Sequence, residues 1–552
     1  MSNRSDNDST KTTQDESLGS DTRRRLLALG AATGLLAACS SEDTSGSPPG
    51  TPSGGSGGAA TGGAKSNTGG APVSANGGTT GGAPVSANGG TTGGAPVSAN
   101  GGTTGGAPVS ANGGTTGGTA AANGGGGSGG GPVVSGGTPN GGGGGGGGPS
   151  TPPSTGGWKE DNGKGCSIGM VPSFANAASN AKLPDPFKFL SGQRITKKED
   201  WACLRADLSA ALQASIYGPK MPPPDSLDAT FSDGQLTINM KVGSKSGSFS
   251  VRITGGGTEA APVPCLISCG GSSLGALNGV ARIDMPNGMI AQESKTVGSG
   301  GIVHTLYGDA ASKSGSLIGW AWGLSRIIDA LEKVPAAGIN WKRIAVTGCS
   351  RNGKGALAMG AFDERVALTL MQEGGSGGSA AWRISEAEKK AGQNIQESAE
   401  IVGEANWQGS DFKQYANGQN AKLPADQHFT VALCAPRAVL LLENDIDWLG
   451  PVACYGGGIA GRAVFEALGI KDRCGVTVAA NHGHCQFPSS QQKYLDNFVT
   501  RFLKDGTADT SGVDELNTRS STTKLGKFDQ AQWIDWDIPT LSGNLAWDPF
   551  AK

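Results

Sequence analysis

A serine in a tight turn at residues 348–356 is the feature of this chain that could do chemistry most directly. The segment reads Gly-Cys-Ser-Arg-Asn-Gly-Lys-Gly-Ala and follows the apolar, β-branched run 343–347. A strand, a sharp Gly-containing turn with a central serine and then a helix is the layout of a nucleophile elbow. Ser350 is therefore predicted to be a nucleophile, because the first N–H groups of the helix would face a developing oxyanion.

The turn departs from the usual pattern at one position. Most nucleophile elbows have glycine two residues after the serine, whereas this chain has Asn352 there and Gly353 next. With 96 glycines in the chain, a Gly-x-Ser match alone carries little information. The prediction therefore depends on the strand before the serine and the helix after it.

A carboxylate follows the serine in the order that α/β hydrolases use. Residues 366–372 predict a buried strand that ends at Glu373, before a Gly/Ser-rich segment. Most α/β hydrolases place the acid later, after the strand predicted here at 438–443. Asp445 and Asp447 lie near that point. Glu373 is the first candidate for the acid, and the two aspartates remain open alternatives.

The base must be one of four histidines. His482 and His484 share a loop at the end of a strand predicted at 476–480, and one of them is the predicted base. The other two, His304 and His428, lie in no such motif and are interpreted as surface or core residues.

Four ordered motifs resemble the glucuronoyl esterases, carbohydrate esterase family fifteen. The elbow of that family has asparagine two residues after the serine, as this chain does. The resemblance extends from about residue 166 to 504. The motifs are residues 348–356, residues 372–378 with Trp382 and Arg383, residues 443–451, and residues 484–488.

The resemblance implies a role for each of several residues. The catalytic residues would be Ser350 as nucleophile, Glu373 as acid and His484 as base. Arg351 would stabilise the oxyanion through its backbone N–H and its guanidinium. The implied contacts to a uronate sugar are Lys354, Gln396, Glu404 and Trp448.

The resemblance also implies the activity. The substrate would be the ester that joins (4-O-methyl)-D-glucuronate side chains of glucuronoxylan to a lignin alcohol. No metal or organic cofactor is expected, because the sequence has neither H-E-x-x-H nor paired C-x-x-C spacing. The alternatives are another serine esterase, acting on acetyl or feruloyl xylan, or a catalytically silent surface protein that binds polysaccharide.

Two cysteines flank the predicted catalytic residues. If Ser350 and His484 lie within hydrogen-bond reach, then Cys349 and Cys485 lie close enough for a disulfide, and the resemblance implies the same pair. The resemblance also implies a bond between Cys166 and Cys203. Five other cysteines could also form disulfides, although they cannot all pair: Cys265, Cys269, Cys434, Cys454 and Cys474. The preferred pair among them is Cys454–Cys474.

Residues 1–39 are predicted to be a targeting segment and not part of the fold. Residues 22–27 contain a twin-arginine pattern, and the apolar stretch 26–38 is too short to span a bilayer stably. Residues 36–39 match a bacterial lipobox that would make Cys39 a lipidated N-terminus. We expect an exported lipoprotein at the outer membrane or cell surface of a Gram-negative bacterium, with secretion after cleavage of an ordinary signal peptide as the alternative.

Residues 40–157 are predicted to be a disordered linker. From 41 to 157 the chain has no Phe, Trp, Tyr, Leu, Ile or Met, so it cannot form a core. A twelve-residue unit, Ala-Pro-Val-Ser-Ala-Asn-Gly-Gly-Thr-Thr-Gly-Gly, starts at 71, 83, 95 and 107. As a Gly-rich coil this linker would span roughly 60 Å, enough to hold an enzyme away from a membrane.

Residues 158–552 are predicted to form one catalytic domain. Its pattern begins with a helix at 199–218 and an antiparallel hairpin at 236–242 and 248–253, then alternates strands and helices. That order predicts an α/β-hydrolase fold: a three-layer sandwich with a mostly parallel central sheet and antiparallel N-terminal strands. A net charge of −2 gives no basic surface for nucleic acid, and we expect a monomer whose membrane contact is limited to the anchor at Cys39.

Overall fold

The computed structural model describes residues 157–516 and 527–551. The predicted targeting segment 1–39, with Cys39, and the predicted linker 40–157, except its last residue, therefore lie outside the described residues. Within the described ranges, no helix combines the length and apolar character needed to cross a bilayer.

Ten strands of the described chain pair into one sheet. Buried positions alternate with exposed ones in β2, whereas every residue of β7, β8 and β9 is buried. Strands buried on both faces are typical of the centre of a parallel sheet. The strands are β1 (Ser226–Ser232), β2 (Gln235–Val242), β3 (Lys245–Thr254), β4 (Val263–Cys269), β5 (Ala281–Met285), β6 (Ile339–Cys349), β7 (Val366–Gln372), β8 (Ala438–Asn444), β9 (Cys474–Ala479) and β10 (Asp514–Leu516).

The sheet has the order β1-β2-β3-β5-β4-β6-β7-β8-β9-β10. The pairs β1–β2, β2–β3 and β3–β5 are antiparallel, and the pairs from β5 through β10 are parallel. The predicted hairpin is β2 and β3. No strand is predicted at β1, β5 or β10, although β1 and β5 alternate polar with apolar residues as a half-buried strand does.

Helices cover both faces of this sheet. Leu441 in β8 packs in the larger apolar core with helical residues such as Leu357 and Val464, whereas its neighbour Leu440 packs on the other face with Phe498. This period-two alternation divides one strand between two cores. The helices are α1 (Trp201–Leu212), α2 (Asn287–Ile290), α3 (Gly301–Tyr307), α4 (Ser316–Lys333), α5 (Arg351–Phe362), α6 (Trp382–Lys390), α7 (Ser398–Glu404), α8 (Gln427–Ala432), α9 (Pro451–Ala467), α10 (Ser489–Phe498) and α11 (Gln530–Trp533).

The predicted fold class is therefore confirmed: the chain has an α/β-hydrolase fold with three layers. A strand leads into each of the three predicted catalytic segments. Ser350 follows β6, Glu373 follows β7, and His484 lies in the loop after β9. Because the carboxyl ends of parallel strands meet at one edge of a sheet, this edge is where ligands bind in open α/β folds.

The sequence predicts a helix only over residues 462–468, whereas α9 already begins at Pro451. Its run Gly456–Gly458 is unfavourable for a helix in isolation. In the fold, a Cβ atom on Gly457 would lie 2.0 Å from the carbonyl oxygen of Ser379, and one on Gly458 would lie 2.8 Å from Val476. The glycines therefore let α9 pack closely against β9 and the segment after Glu373.

We predict that Gly457→Ala destabilises the protein by about 1–3 kcal/mol, because the new methyl group meets backbone atoms that have little room to move. Gly403→Ala in α7 is the matched control, since a Cβ there meets open space and alanine is the better helix former. Chemical denaturation of the full chain measures both. Equal unfolding free energies for the two variants would contradict this account of α9.

Candidate active site

Ser350 lies at the sharp turn between β6 and α5. Its φ of 61° and ψ of −128° form a strained conformation that non-glycine residues rarely adopt. Such a residue costs on the order of 1–3 kcal/mol and persists only where its surroundings hold it. Here the Ser350 N–H donates to the carbonyl oxygen of Gln372, 3.1 Å away in the neighbouring strand. The turn therefore presents the hydroxyl at the carboxyl edge of the sheet.

The structure explains the unusual Asn352. A Cβ atom on Gly353 would lie 2.2 Å from the carbonyl oxygen of Gln372, so the close approach that requires glycine occurs at 353 and not at 352. The Asn352 side chain instead donates to the carbonyl of Gly270 at 3.3 Å and accepts from Asn287 Nδ2 at 3.1 Å. It thereby ties the elbow to the segments that follow β4 and β5.

Glu373 is hydrogen-bonded directly to His484. The Oε2 atom of Glu373 lies 2.7 Å from His484 Nδ1, and it also accepts from the backbone N–H of Cys485 at 3.0 Å and from Asn444 Nδ2 at 3.2 Å. The carboxylate is only 3% exposed. His482 is less directly placed, because its Nδ1 lies 3.8 Å from Glu373 Oε1. Of the two candidate bases, His484 makes the shorter contact with the acid.

The two alternative acids have other surroundings. Asp445 is buried and donates its backbone N–H to Ala479 O at 3.0 Å, whereas Asp447 begins the short 3₁₀ turn Asp447–Leu449. Asn444, at the end of β8, supplies the amide that contacts Glu373. The acid after β7 is thus supported by a side chain from the position where many α/β hydrolases place the acid itself.

Glu443 is a second buried carboxyl group behind Glu373. Its Oε1 accepts a hydrogen bond from Ser379 Oγ at 2.5 Å. Burial raises the pKa of Glu443 to about 7, and the nearby Glu373 carboxylate adds to this rise. Glu443 is therefore only partly ionised near neutral pH, which limits its electrostatic repulsion of Glu373.

A disulfide joins the elbow to the histidine loop. Cys349 precedes Ser350, Cys485 follows His484, and the two cysteines are bonded with a Cα–Cα distance of 5.8 Å. The Nε2 atom of His484 lies 3.7 Å from Cys485 Sγ, so this edge of the imidazole ring faces the disulfide. Four atoms of the kind that can bind a metal ion, one each from Cys349, Glu373, His484 and Cys485, lie within 4.8 Å of one another. Because both sulfurs are in the disulfide, neither offers a thiolate to a metal.

The structure also contains the disulfide Cys166–Cys203, whereas the preferred pair Cys454–Cys474 is wrong. Cys454 lies in the first turn of α9 and Cys474 begins β9, so most of a seventeen-residue helix separates them. The free cysteines in the described chain are all buried, and they are Cys265, Cys269, Cys434, Cys454 and Cys474.

Lys354 lies one turn after Ser350 and is 3% exposed. Its Nζ donates to the carbonyl oxygen of Gly374 at 2.5 Å, and it lies 5.5 Å from the centroid of the Trp407 ring. Burial lowers the pKa of Lys354 to about 8, although the Glu404 carboxylate acts in the opposite direction. The ammonium group is therefore held in a poorly hydrated position beside the elbow.

The other three predicted sugar contacts are connected to one another around His484. Gln396 donates its N–H to the carbonyl of Trp448 at 3.0 Å, and its Nε2 donates to Glu404 Oε2 at 3.1 Å. The Trp448 ring packs edge-on against the His484 imidazole, with ring centroids 4.7 Å apart. Trp448 and Gln396 are half-buried and Glu404 is exposed. The structure thus links Gln396 and Glu404 to His484 through Trp448.

Two residues of the site were missed from the sequence. Glu293 and Trp407 line an open cleft of about 240 Å³ together with Arg351 and Glu404. Neither lies in any of the four motifs. Trp407 is one of eleven tryptophans and Glu293 one of many glutamates, so the sequence contains no signal that would single them out.

The chain matches the family model "Glucuronyl esterase, fungi" over residues 238–469. It is 45% identical over 381 residues to a 4-O-methyl-glucuronoyl methylesterase from Neurospora crassa, covering 68% of this chain and 93% of that protein.

Two solved structures are also similar. The first is the catalytic domain of a glucuronoyl esterase from Hypocrea jecorina, with a TM-score of 0.62, 44% identity, and coverage of 66% of this chain and 98% of that one. The second is a glucuronoyl esterase from Sporotrichum thermophile, with a TM-score of 0.63, 39% identity, and coverage of 68% and 100%; it is a serine-to-alanine mutant in complex with methyl 4-O-methyl-β-D-glucopyranuronate. With an identity well above 30% over nearly the whole of its relatives, this chain belongs to the glucuronoyl esterase family.

Proposed function

We propose that this protein is a serine esterase that hydrolyses the ester between (4-O-methyl)-D-glucuronate side chains of glucuronoxylan and lignin alcohols. One observation carries the proposal: Glu373 Oε2 lies 2.7 Å from His484 Nδ1, and the disulfide fixes that histidine loop to the Ser350 elbow. The relative crystallised with methyl 4-O-methyl-β-D-glucopyranuronate supports the choice of a glucuronate ester.

The proposed reaction is acyl transfer through Ser350. His484 accepts the serine proton through Nε2 while Oγ attacks the ester carbonyl carbon. Glu373 holds Nδ1 and stabilises the imidazolium that forms. The backbone N–H of Arg351 has no partner within α5 because it belongs to the first turn, so it can donate to the oxyanion together with the guanidinium. His484 then protonates the departing alcohol, and water cleaves the glucuronoyl-enzyme.

The proposed sugar contacts are Lys354, Gln396, Glu404 and Trp448. The contact of Trp448 with His484, the bonds of Gln396 to Trp448 and Glu404, and the place of Lys354 one turn after Ser350 support this proposal. From that place in α5, the Lys354 ammonium can donate to a sugar hydroxyl or ring oxygen.

We further propose the domain arrangement 1–39, 40–157 and 158–552: an export and lipid-attachment segment, a disordered linker and the catalytic domain. The two disulfides are typical of a protein that works outside the reducing cytoplasm. The lipobox at residues 36–39 supports anchoring through Cys39 to the outer membrane or cell surface of a Gram-negative bacterium. The enzyme would then act as a monomer on substrate beyond the membrane surface.

The activity is tested by comparing benzyl D-glucuronate with acetylated xylan. We expect turnover of the glucuronate ester by the wild-type protein, and its loss to background in Ser350→Ala, which removes only the nucleophilic hydroxyl of a half-buried residue and leaves the fold intact. Activity on acetylated xylan alone would identify a different ester class. Retention of substantial activity by Ser350→Ala would overturn the assignment of the nucleophile.

The assignment of the acid is tested by comparing Glu373→Ala with Asp447→Ala. Loss of the carboxylate that orients the base reduces kcat by up to ~10⁴-fold. We expect a loss of that kind for Glu373→Ala and near-normal kcat for Asp447→Ala, measured by steady-state hydrolysis of benzyl glucuronate. The reverse ranking would move the acid to the loop after β8.

The protonation of Lys354 predicts a pH dependence of KM. Because burial lowers its pKa to about 8, the ammonium is present below pH 8 and is lost as the pH rises above it. We expect the KM for benzyl glucuronate to rise above pH 8, while the KM for 4-nitrophenyl acetate stays flat. In Lys354→Met the KM for the glucuronate should be raised and independent of pH in this range. The same pH response with both substrates would refute a sugar-specific role.

The anchor is tested by fractionating cells that express the full chain. We expect the wild-type protein in the membrane fraction and Cys39→Ala in the soluble exported fraction, because the variant lacks the thiol that carries the lipid. Membrane association that persists in Cys39→Ala would exclude this anchor.

A further inference from the structure

Glu293 lies between two residues of the candidate site. Its Oε1 accepts a hydrogen bond from Trp407 Nε1 at 2.6 Å, and its Oε2 lies 3.9 Å from a terminal guanidinium nitrogen of Arg351. The two carboxylate oxygens therefore face different partners. Arg351 belongs to the elbow. The Trp407 ring lies beside the Lys354 ammonium, whose Nζ atom is 5.5 Å from the ring centroid.

The backbone around Glu293 is held firmly in place. Asn406, which is 5% exposed, donates through Nδ2 to the carbonyl of Gln292 at 3.0 Å and accepts through Oδ1 from the N–H of Ser294 at 2.8 Å. The residues before and after Glu293 are thus bonded to the same buried amide. The backbone is thereby fixed on both sides, and the hydrogen bond from Trp407 Nε1 holds the carboxylate in the cleft.

Arg351 needs such a support. Its side chain is 53% exposed, and within residues 157–516 and 527–551 the ion pair found for it is the one with Glu293. A long, hydrated side chain loses rotamer freedom when it must face one point. A catalytic group is effective only when it is held near its productive geometry before the substrate arrives.

We propose that Glu293 is a positioning residue that orients the Arg351 guanidinium toward the oxyanion and fixes the Trp407 ring beside Lys354. This inference rests on the proposed function for the roles of Arg351 and Lys354. Because Oε1 binds Trp407 and Oε2 faces Arg351, substitutions can remove the two effects separately. A glutamine at 293 keeps an acceptor for Trp407 and loses the negative charge that faces Arg351.

The first test is a double-mutant cycle of Glu293→Gln and Arg351→Ala. We expect Glu293→Gln to lower kcat about fivefold, which is the largest effect usual for the loss of a partly exposed ion pair. The KM should change less than twofold. This loss should occur with benzyl glucuronate and with 4-nitrophenyl acetate, because both reactions form an oxyanion. In the Arg351→Ala background, adding Glu293→Gln should change nothing further.

The second test concerns Trp407. Trp407→Phe keeps an aromatic ring beside Lys354 but removes the N–H that Glu293 binds. We expect the KM for benzyl glucuronate to rise about three- to fivefold, as for loss of one hydrogen bond, and the KM for 4-nitrophenyl acetate to change less. Glu293→Ala should combine both effects. Glu259→Gln, at an exposed glutamate between β3 and β4, makes the same charge change outside the cleft and should resemble the wild type.

These measurements distinguish the possible outcomes. A wild-type kcat in Glu293→Gln, or a fivefold loss that persists in Arg351→Ala, would overturn the inference, as would an equal loss in Glu259→Gln. A protein inactive on benzyl glucuronate would overturn the proposed function. If the same protein showed the Arg351-dependent loss on 4-nitrophenyl acetate, the orienting role of Glu293 would nevertheless stand. Thermal unfolding at an unchanged midpoint in Glu293→Gln separates the effect from loss of structure.

Discussion

One oxygen atom, Glu373 Oε2, connects the parts of the site. It accepts from the His484 imidazole, the Cys485 N–H and the Asn444 amide, which come from two different segments of the chain. A buried carboxylate is stable only when donors replace its water, and three donors on one oxygen satisfy much of that need. The end of β7, the end of β8 and the histidine loop must therefore keep their relative positions for these three hydrogen bonds to form.

Backbone strain is concentrated at the same place. Ser350, Glu373 and Cys485 all have positive φ angles, of 61°, 46° and 59°. Each is held by a partner outside its own turn: Ser350 by the carbonyl of Gln372, Glu373 by that of Leu442, and Cys485 by its bond to Cys349. Because strain of this kind persists only where several contacts oppose its release, the sheet and the disulfide together supply the rigidity that a nucleophile, an acid and a base require.

The chemistry-bearing residues could be predicted because their signals are local, whereas several features that position them could not. Ser350, Glu373 and His484 each follow a strand whose apolar run is visible in the sequence. The Gly456–Gly458 run disfavours a helix locally, yet α9 includes it because close packing on β9 has no room for side chains. The partners of Asn352, and the presence of Glu293 and Trp407 in the cleft, arise from contacts between segments distant in sequence, which no local period records.

The two cations beside the elbow differ in burial, and this difference bears on how the proposed site would distinguish its substrates. The exposed Arg351 remains hydrated, so an ester of any acyl group can reach it. The Lys354 ammonium is desolvated, and its protein partners are the Gly374 carbonyl and the face of the Trp407 ring. A sugar hydroxyl would complete its hydrogen bonding, whereas an acetyl group would leave it incompletely satisfied. Sites that use a buried polar group to bind a substrate hydroxyl reject analogues without one far more strongly than apolar pockets do. Discrimination among esters is therefore expected to depend on the buried lysine, while the arginine acts on the carbonyl that all esters share.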